Sequence, residues 1–421
     1  MAIVSPMTEE STDLLIAGGG PAGMMAGLLF ARAGVRTLVL EKHADFLRDF
    51  RGDTVHPSTM ELFHELGALD ELLSRPHDKA AQLSGIIGGE KVRIADFSHL
   101  PAHARFIALM PQWDFLDCVA DLARAYPSFS LRMNAEVTDL LWEGDRVAGA
   151  ICDNVPIRAK LVIAADGRRS LLRGQAALPL MDLGAPIDVF WFRLSKERTS
   201  DNRSTGVIAT GRLLALLDRG DYWQCAYVFA KGMADDLRER GLDNFRDDVA
   251  ATAPFLGGAV GELQSWDQVK LLTVELDRLT EWHRPGLLAI GDAAHAMSPI
   301  GGVGINLAVQ DAVAAANYLA GPMADGSDVD DLLWRVQRRR MLPTRIVQAM
   351  QRTAQNRIID RVVLKNVPIT RPPGVVRLMQ RFPILQLIPA YLIGMGFRRE
   401  HVRSPDAGFR RAGPPPSPPR D

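Results

Sequence analysis

One stretch near the start of the chain decides the fold: DLLIAGGGPAG, residues 13–23. It opens with a short apolar run of the kind that becomes a buried strand. Residues 21–33 are mostly small and apolar, and they predict a helix. The three consecutive glycines between these two segments predict a tight turn. The stretch therefore predicts a strand, a turn and a helix in direct succession.

The glycine spacing in this turn suits the binding of a dinucleotide. Gly18 makes the turn, Gly20 lets the backbone approach a pyrophosphate, and Gly23 lets the helix pack closely on the strand. The helix N-terminus offers unpaired N–H groups and a positive dipole to the phosphates. A second apolar run, residues 37–40, ends in Glu41, whose carboxylate can accept hydrogen bonds from both hydroxyls of a ribose. These features predict FAD or NAD at this site and disfavour NADP, whose ribose carries a 2′-phosphate.

A second glycine cluster, late in the chain, predicts the other end of the same site. The apolar run 287–290 is followed by Gly291-Asp292, by a loop that contains Pro299, and by a predicted helix over 304–319. A carboxylate at a strand end can hold a ribityl hydroxyl, and a helix N-terminus can stabilise negative charge on a reduced flavin ring. This cluster favours FAD over NAD.

A third motif lies between the two clusters, where the apolar run 161–165 precedes Asp166-Gly167-Arg168-Arg169. With the three motifs in this order, the chain resembles the class A flavoprotein monooxygenases, the para-hydroxybenzoate hydroxylase-like family. The resemblance implies an α/β fold with a Rossmann-like FAD-binding domain of the GR2 type, an antiparallel β-sheet substrate domain and a C-terminal helical segment.

The resemblance also implies a set of cofactor-binding residues. They are Gly18, Gly20, Pro21, Ala22, Gly23, Glu41, Lys42, Arg51, Gln112, Val137, Asp166, Asp292, Pro299, Gly302, Gly304, Ile305 and Asn306. Arg168 and Arg169 are candidate contacts to the pyrophosphate, with a solvated surface charge as the alternative for each. Backbone N–H groups of Gly304 and Ile305 are candidate contacts to the pyrimidine edge of the flavin.

The activity that the resemblance implies is hydroxylation of an aromatic or polyketide-like small molecule. FAD would be reduced by a transiently bound NAD(P)H and react with O2 to a C4a-hydroperoxide, which passes one oxygen atom to the substrate. Candidate catalytic residues are Pro299 at the pocket floor, His295 and Arg51. No general base is evident, since His295, His56 and His283 could each be structural. NADH and NADPH both stay open.

The pattern of apolar and polar residues changes along the chain and predicts a discontinuous flavin-binding domain. It comprises residues 1–81, 95–175 and 283–355, while 82–94 and 176–282 form the substrate domain, 356–411 a C-terminal segment and 412–421 a disordered proline-rich tail. Alternating apolar and polar residues predict strands in the substrate domain, at 187–194, 206–217, 222–231 and 269–276. A turn is predicted at 219–221, and a hairpin of the same sheet within 82–94.

Successive side chains of a strand point to opposite faces of the sheet, so the sequence predicts which residues share a face. Tyr222 and Gln224 share one face, and Trp223 and Cys225 the other. Trp191 and Arg193 on the preceding strand add an aromatic ring and a cation at the same spacing. Trp191, Arg193, Tyr222 and Gln224 are therefore candidate substrate contacts, although aromatic residues on a strand more often form the core of a sheet.

Composition excludes several other classes of protein. Apolar residues make up 47% of the 421 residues and charged residues 24%, which are globular values, and a net charge of −1 gives no electrostatic case for nucleic acid. The three cysteines lack the spacing of a metal site or a disulfide framework. Residues 1–12 do not resemble a secretory signal. We expect a cytoplasmic bacterial enzyme that is a monomer or a homodimer, with O2 and a small molecule as its partners.

The C-terminal segment allows three roles. Basic residues outnumber acidic ones over 361–411, and the apolar run 382–397 is too short and too broken by proline to span a bilayer. The run could pack on the flavin domain, form a lid or dimer contact, or bind peripherally at a membrane interface.

Three other functions compete with the monooxygenase. A flavin-dependent reductase or dehydrogenase of isoprenoid or other apolar substrates would share the FAD motifs. A flavin-dependent halogenase would also share them, but its tryptophan-x-tryptophan-x-isoleucine-proline signature is not found in the sequence. A flavin-binding protein without turnover is the third.

Overall fold

The computed structural model describes residues 10–47, 54–196, 204–209, 211–356 and 371–408. The predicted site residue Arg51 and the proline-rich tail 412–421 lie outside the described residues. Within these ranges the chain has a mixed α/β fold in which one large sheet carries the motifs and a second sheet packs beside it.

The strands, in chain order, are β1 (Glu10–Ala17), β2 (Thr37–Leu40), β3 (Thr54–Val55), β4 (Asp78–Ala80), β5 (Gln82–Ile87), β6 (Glu90–Asp96), β7 (Ile107–Leu109), β8 (Phe129–Arg132), β9 (Val137–Glu143), β10 (Arg146–Cys152), β11 (Val155–Ala164), β12 (Leu180–Asp182), β13 (Ile187–Ser195), β14 (Thr205–Ala209), β15 (Arg212–Asp218), β16 (Tyr222–Ala230), β17 (Lys270–Thr273), β18 (Asp277–Leu279), β19 (His283–Arg284) and β20 (Leu287–Ala289). The helices are α1 (Pro21–Arg32), α2 (Pro57–Glu65), α3 (Leu69–Ser74), α4 (Gln112–Arg124), α5 (Leu171–Gln175), α6 (Ala234–Glu239), α7 (Leu242–Thr252), α8 (Gly304–Ala324), α9 (Leu333–Ala354), α10 (Gly374–Arg381) and α11 (Leu387–Gly394).

The first sheet has the strand order β19-β20-β11-β1-β2-β8, and β20, β11, β1, β2 and β8 run parallel. Its central strands are buried on both faces, as expected of a parallel sheet covered by helices. Ala17 of β1 lies opposite Ala164 of β11, which in turn lies opposite Ala289 of β20. The three motif-bearing strands therefore end at the same level, and the loops that follow them meet at one edge of the sheet.

The second sheet has the order β17-β13-β16-β15-β14-β5-β6 and is antiparallel except where β14 pairs with β5. The predicted hairpin within 82–94 is confirmed as β5 and β6, and the predicted turn at 219–221 is confirmed between β15 and β16. The single strand predicted at 206–217 is wrong. The segment folds back on itself as β14 and β15, because Gly211 adopts a φ of +73° that reverses the chain.

The two faces of the second sheet have the predicted alternation. Phe190, Phe192, Trp223 and Cys225 pack on one side against α6, α7 and the turn that follows α7. The opposite side carries Val189, Ala226 and Val228, with Trp191, Leu213 and Ala215 partly buried beside them. Ile300, from the proline-glycine loop before α8, packs on this opposite side. We call it the loop-facing side of the sheet.

Helix α11 packs through Ala390 and Met395 on a cluster that includes Phe97, Leu100 and Ile107. A Cβ built on Gly394 would lie 2.7 Å from Leu100 Cδ1, so the helix approaches closely. Part of the predicted apolar run thus packs against the body of the protein. No helix among the described residues is long and apolar enough to cross a membrane.

Candidate functional site

The three motifs meet at the edge of the first sheet. Gly18 has a φ of +105°, and a Cβ built on it would overlap the carbonyl oxygen of Ala165. A Cβ on Gly291 would lie 2.9 Å from Cβ of Ala22. No side chain fits at Gly18 or Gly291, because the first glycine loop packs directly against the other two motifs.

A cradle for an anion lies at the N-terminus of α1. The first turn of α1 has no side-chain cap and no acidic residue, so its N–H groups and positive dipole face outward. A Cβ on Gly20 would meet no atom within 4 Å, whereas one on Gly23 would overlap the carbonyl oxygen of Gly18. Gly23 is therefore needed for packing, while the space beside Gly20 is open. This arrangement, with Pro21 and Ala22 in the first turn, fits the pyrophosphate of FAD.

Arg168 and Asp292 connect the second and third motifs. Arg168 Nε donates to Asp292 Oδ2 at 3.0 Å, and the Nη1 atom of Arg168 is buried with no hydrogen-bond partner among the described residues. An unsatisfied guanidinium nitrogen at this edge suits an anionic group of the cofactor. Asp166 accepts hydrogen bonds from Ser170 Oγ and the Leu172 N–H, which fixes the start of α5. Arg169 is exposed at the surface.

Glu41 lies buried at the end of β2. Its carboxylate accepts hydrogen bonds from the N–H of Gly19 at 2.8 Å and from the N–H of His43 at 3.0 Å. These bonds fix the acid next to the glycine turn, which is where the ribose of a bound dinucleotide would need it. The adjacent Lys42 is exposed.

Two further predicted cofactor contacts begin secondary-structure elements. Gln112 is the first residue of α4 and Val137 the first residue of β9, and both are half-buried. These positions leave both side chains partly accessible, so their contact with FAD stays a prediction.

Two glycines and a hydrogen bond to Thr54 shape the loop before α8. Gly301 and Gly302 have φ values of +81° and +62°, and the hydroxyl of Thr54 donates to the carbonyl oxygen of Gly302 at 2.9 Å. A Cβ on Gly302 would overlap Thr54 Oγ1. Gly302 therefore packs against β3. Pro299 and Gly304 on either side of it are half-buried.

Asn306 was predicted to contact the cofactor, but its side chain is fully used within the protein. Its Oδ1 accepts from the His56 N–H at 2.9 Å and from Thr59 Oγ1 at 2.7 Å, and its Nδ2 donates to the carbonyl oxygens of Thr54 and Gly302. We therefore correct its role to positioning. It ties the loop and α8 to β3 and α2, while the backbone at Gly304 and the buried Ile305 stay candidate contacts.

Sequence reasoning missed a polar stripe on α9 that holds the same loop. Gln348 and Gln351 lie on one face of α9, Gln355 follows directly after the end of the helix, and all three are buried. Gln351 accepts from the Ser298 N–H and donates to the carbonyl oxygens of Ser298 and Ile300. The i, i+3, i+7 spacing of these glutamines was the available signal, because a helix that buries amides must satisfy them.

His295 is not placed for catalysis. It is 1% exposed, its ring centre lies 5.1 Å from that of Trp282, and its Nε2 lies 2.6 Å from Asp311 Oδ2. Asp311 also accepts from the Gly291 N–H at 3.1 Å and from Arg340 Nε at 2.9 Å. Burial pushes the pKa of Asp311 upward, but His295 and Arg340 outweigh this and leave it below the ordinary value. The predicted catalytic histidine is thus a structural member of a buried ion network.

The other two candidate histidines lie on α2 and β19. His56 is fully buried, its Nδ1 lies 2.8 Å from the carbonyl oxygen of Ile393, and burial lowers its pKa to about 4. The imidazole is therefore neutral near pH 7 and links α2 to α11. His283 lies on β19 beside β20, and burial lowers its pKa as well.

The four predicted substrate contacts divide into two groups on the loop-facing side. Trp191 lies in the cluster that includes Ile300, and its indole N–H is buried without a partner among the described residues. Farther along the strands, the Arg193 guanidinium stacks on Tyr222 at 3.7 Å from the ring centroid, and Gln224 accepts a hydrogen bond from Arg219. Only Trp191 is brought next to the loop.

Comparison with known proteins agrees with this site. Residues 11–350 match the family described as FAD binding domain. The chain is 33% identical over 322 residues to 6-methylpretetramide 4-monooxygenase of Streptomyces rimosus, a match that covers 74% of this chain and 75% of that protein. It is 27% identical over 306 residues to rifampicin monooxygenase of Streptomyces venezuelae, covering 71% of this chain and 62% of that protein.

A solved structure has the same fold. That of pqsL from Pseudomonas aeruginosa, described as a probable FAD-dependent monooxygenase, matches with a TM-score of 0.72 at 21% identity and covers 85% of this chain and 99% of that one. The extent of the family match and the identity to the Streptomyces rimosus enzyme agree with the three motifs. The chain belongs to the FAD binding domain family, and it is an FAD-dependent monooxygenase.

Proposed function

We propose that this enzyme inserts one oxygen atom of O2 into an aromatic, polyketide-like small molecule, with NAD(P)H as the reductant. The observation that carries the proposal is the contact between the loop-facing side of the second sheet and Ile300, which belongs to the loop predicted to line the flavin. The two curated relatives, which are named for 6-methylpretetramide and rifampicin, support the same substrate class.

The FAD would lie along the edge where the three motifs meet. The first turn of α1 and Arg168 would hold its pyrophosphate, Glu41 its ribose, and Asp292 its ribityl chain. When bound, FAD supplies the redox and oxygen chemistry. The protein positions the cofactor. The hydrogen bonds that Gln351 and Thr54 make to the loop from Ser298 to Gly304 keep this loop in one conformation.

The substrate pocket would be largely apolar and would offer one hydrogen-bond donor, the indole N–H of Trp191. Trp191, Leu213, Ala215 and Ile300 line the loop-facing side, and such a surface suits a planar, electron-rich ring system. The unpartnered indole N–H of Trp191 would donate to an oxygen of the substrate. An apolar wall also excludes water from the place where the oxygen atom is transferred.

His56 and His295, two of the three candidate bases, are buried and bonded within the protein. We infer that the substrate's own hydroxyl group, or an ordered water, provides the activation. The division of the chain into domains, the other predicted cofactor contacts and a cytoplasmic location stay predictions.

A screen of aromatic and polyketide compounds tests the proposal. A true substrate should accelerate NAD(P)H oxidation by the purified, FAD-loaded enzyme. Trp191→Phe should raise KM about 2- to 10-fold with little change in kcat, because it keeps the ring and removes one hydrogen bond.

The matched control is Trp142→Phe, which alters an exposed tryptophan on β9 and should leave KM unchanged. An unchanged KM in Trp191→Phe would remove that donor from the pocket. Failure of every aromatic compound to stimulate NAD(P)H oxidation would reject the proposed substrate class.

A further inference from the structure

Helix α10 packs on the protein but leaves part of its apolar surface exposed. Val376 and Met379 are half-buried, and on the same side the amide of the exposed Gln380 donates to the Arg93 carbonyl oxygen at 2.6 Å and accepts from the Arg93 N–H at 3.2 Å. Val375 and Leu378 share the other face of the helix, and Phe382 continues it. All three are exposed, whereas an amphipathic surface helix normally turns its apolar stripe to the core.

The exposed apolar surface continues through the next turn and along α11. Ile384, Ile388 and Tyr391 project outward, while Ala390 and Gly394 on the other side of α11 are buried against the protein. We define the C-terminal apolar face as six residues, each at least 48% exposed: Val375, Leu378, Phe382, Ile384, Ile388 and Tyr391. A continuous apolar patch of this kind on a protein surface marks an interaction site.

The segment that carries this face has charged residues of one sign only. Residues 371–399 contain no aspartate or glutamate, although the whole chain has a net charge of −1. The same span contains five arginines: Arg371, Arg377, Arg381, Arg398 and Arg399. The partner of the face should therefore be apolar at its centre and negatively charged around it.

We propose that the C-terminal apolar face docks on the surface of an anionic lipid bilayer. The six apolar side chains would enter the boundary between headgroups and acyl chains, and the arginines would lie at the level of the lipid phosphates. A second copy of the chain fits less well, because a symmetric contact through this face would bring two sets of arginines together without acidic partners. Docking requires no membrane-spanning helix.

Vesicle flotation with the full-length, FAD-loaded enzyme tests this proposal. The enzyme should float with vesicles of phosphatidylcholine and phosphatidylglycerol in equal parts, and much less with phosphatidylcholine alone. The double variant Leu378→Ser, Ile388→Ser should weaken vesicle binding about tenfold or more for each substitution. Each one removes an apolar side chain that would be buried in the bilayer. Arg377→Gln and Arg381→Gln should each weaken it about fivefold.

The matched control is Leu180→Ser with Leu342→Ser, which removes two leucines that are each 46% exposed elsewhere and should not change flotation. NAD(P)H oxidation without vesicles should be unchanged in all these variants, so the result does not depend on the substrate. The proposal is overturned if the wild type floats with neither vesicle or equally with both, or if Leu378→Ser with Ile388→Ser floats normally. It is also overturned if sedimentation detects a wild-type dimer that this variant loses, since the face would then join two copies.

Discussion

Gly20→Val should weaken FAD binding by about 100-fold or more while leaving the apoprotein folded. The backbone at Gly20 has φ −76° and ψ −176°, an extended conformation that valine adopts without strain. A Cβ there would meet no protein atom within 4 Å, so we expect a side chain at this position to displace a group that binds beside the helix N-terminus. If that group is a pyrophosphate, the valine side chain costs about 3 kcal/mol or more in binding.

Two matched glycine variants separate folding from binding. Gly18→Ala should lower the Tm of the apoprotein, because its Cβ would overlap the Ala165 carbonyl oxygen at a φ of +105°. Gly174→Ala, in α5, should leave FAD affinity unchanged and should not lower the Tm, since its Cβ also meets nothing and alanine favours a helix. Titration with FAD and thermal unfolding of the apoprotein measure both effects. Wild-type FAD affinity in Gly20→Val would show that the pyrophosphate lies elsewhere.

Asp311→Asn should lower stability by about 3–5 kcal/mol and the apparent Tm by at least about 5 °C. The substitution leaves the Arg340 guanidinium, itself buried, facing a neutral amide, with the Glu400 carboxylate at 3.5 Å as its remaining ionic partner. It also weakens the bonds that hold Gly291 and His295 in the third motif. FAD binding should weaken as well, because this motif is part of the predicted site.

The stability contribution of Asp311 should depend on pH in one direction. A carboxyl group whose pKa is depressed in the folded state adds stability above its unfolded pKa and loses it as the pH falls through the folded value. The stability difference between wild type and Asp311→Asn should therefore be full at pH 7 and shrink only below about pH 4. The control Asp121→Asn, which breaks exposed pairs with Arg75 and Arg124, should cost less than about 1 kcal/mol. Equal Tm losses in the two variants would contradict the account.

The parts of the fold that follow from local sequence were predictable. Strand, turn and helix around Gly18 depend on residues within one short stretch, and so do the second and third motifs. Their convergence followed from a general rule, because the carboxyl ends of parallel strands share one edge of a sheet. The two faces of the second sheet were predictable for the same reason, since alternation has a fixed period of two.

The parts that depend on contacts between distant segments were not predictable. Asp311 supports Gly291 from within a helix that is mostly apolar, and the α9 glutamines hold a loop about fifty residues earlier in the chain. His295 was a candidate because it follows Asp292 closely, but tertiary packing buries it beside Trp282. The reversal at Gly211 was missed because a single glycine inside an alternating run is also compatible with a continuous strand.

The most direct test of the central claim follows one atom of oxygen. Purified enzyme is supplied with NAD(P)H, an aromatic compound that stimulates its turnover, and isotopically labelled O2, and the product is weighed by mass spectrometry. The account predicts one labelled oxygen atom in each product molecule and no product under anaerobic conditions. Product that forms without O2, or that carries no label, would identify a reductase or dehydrogenase and contradict the account.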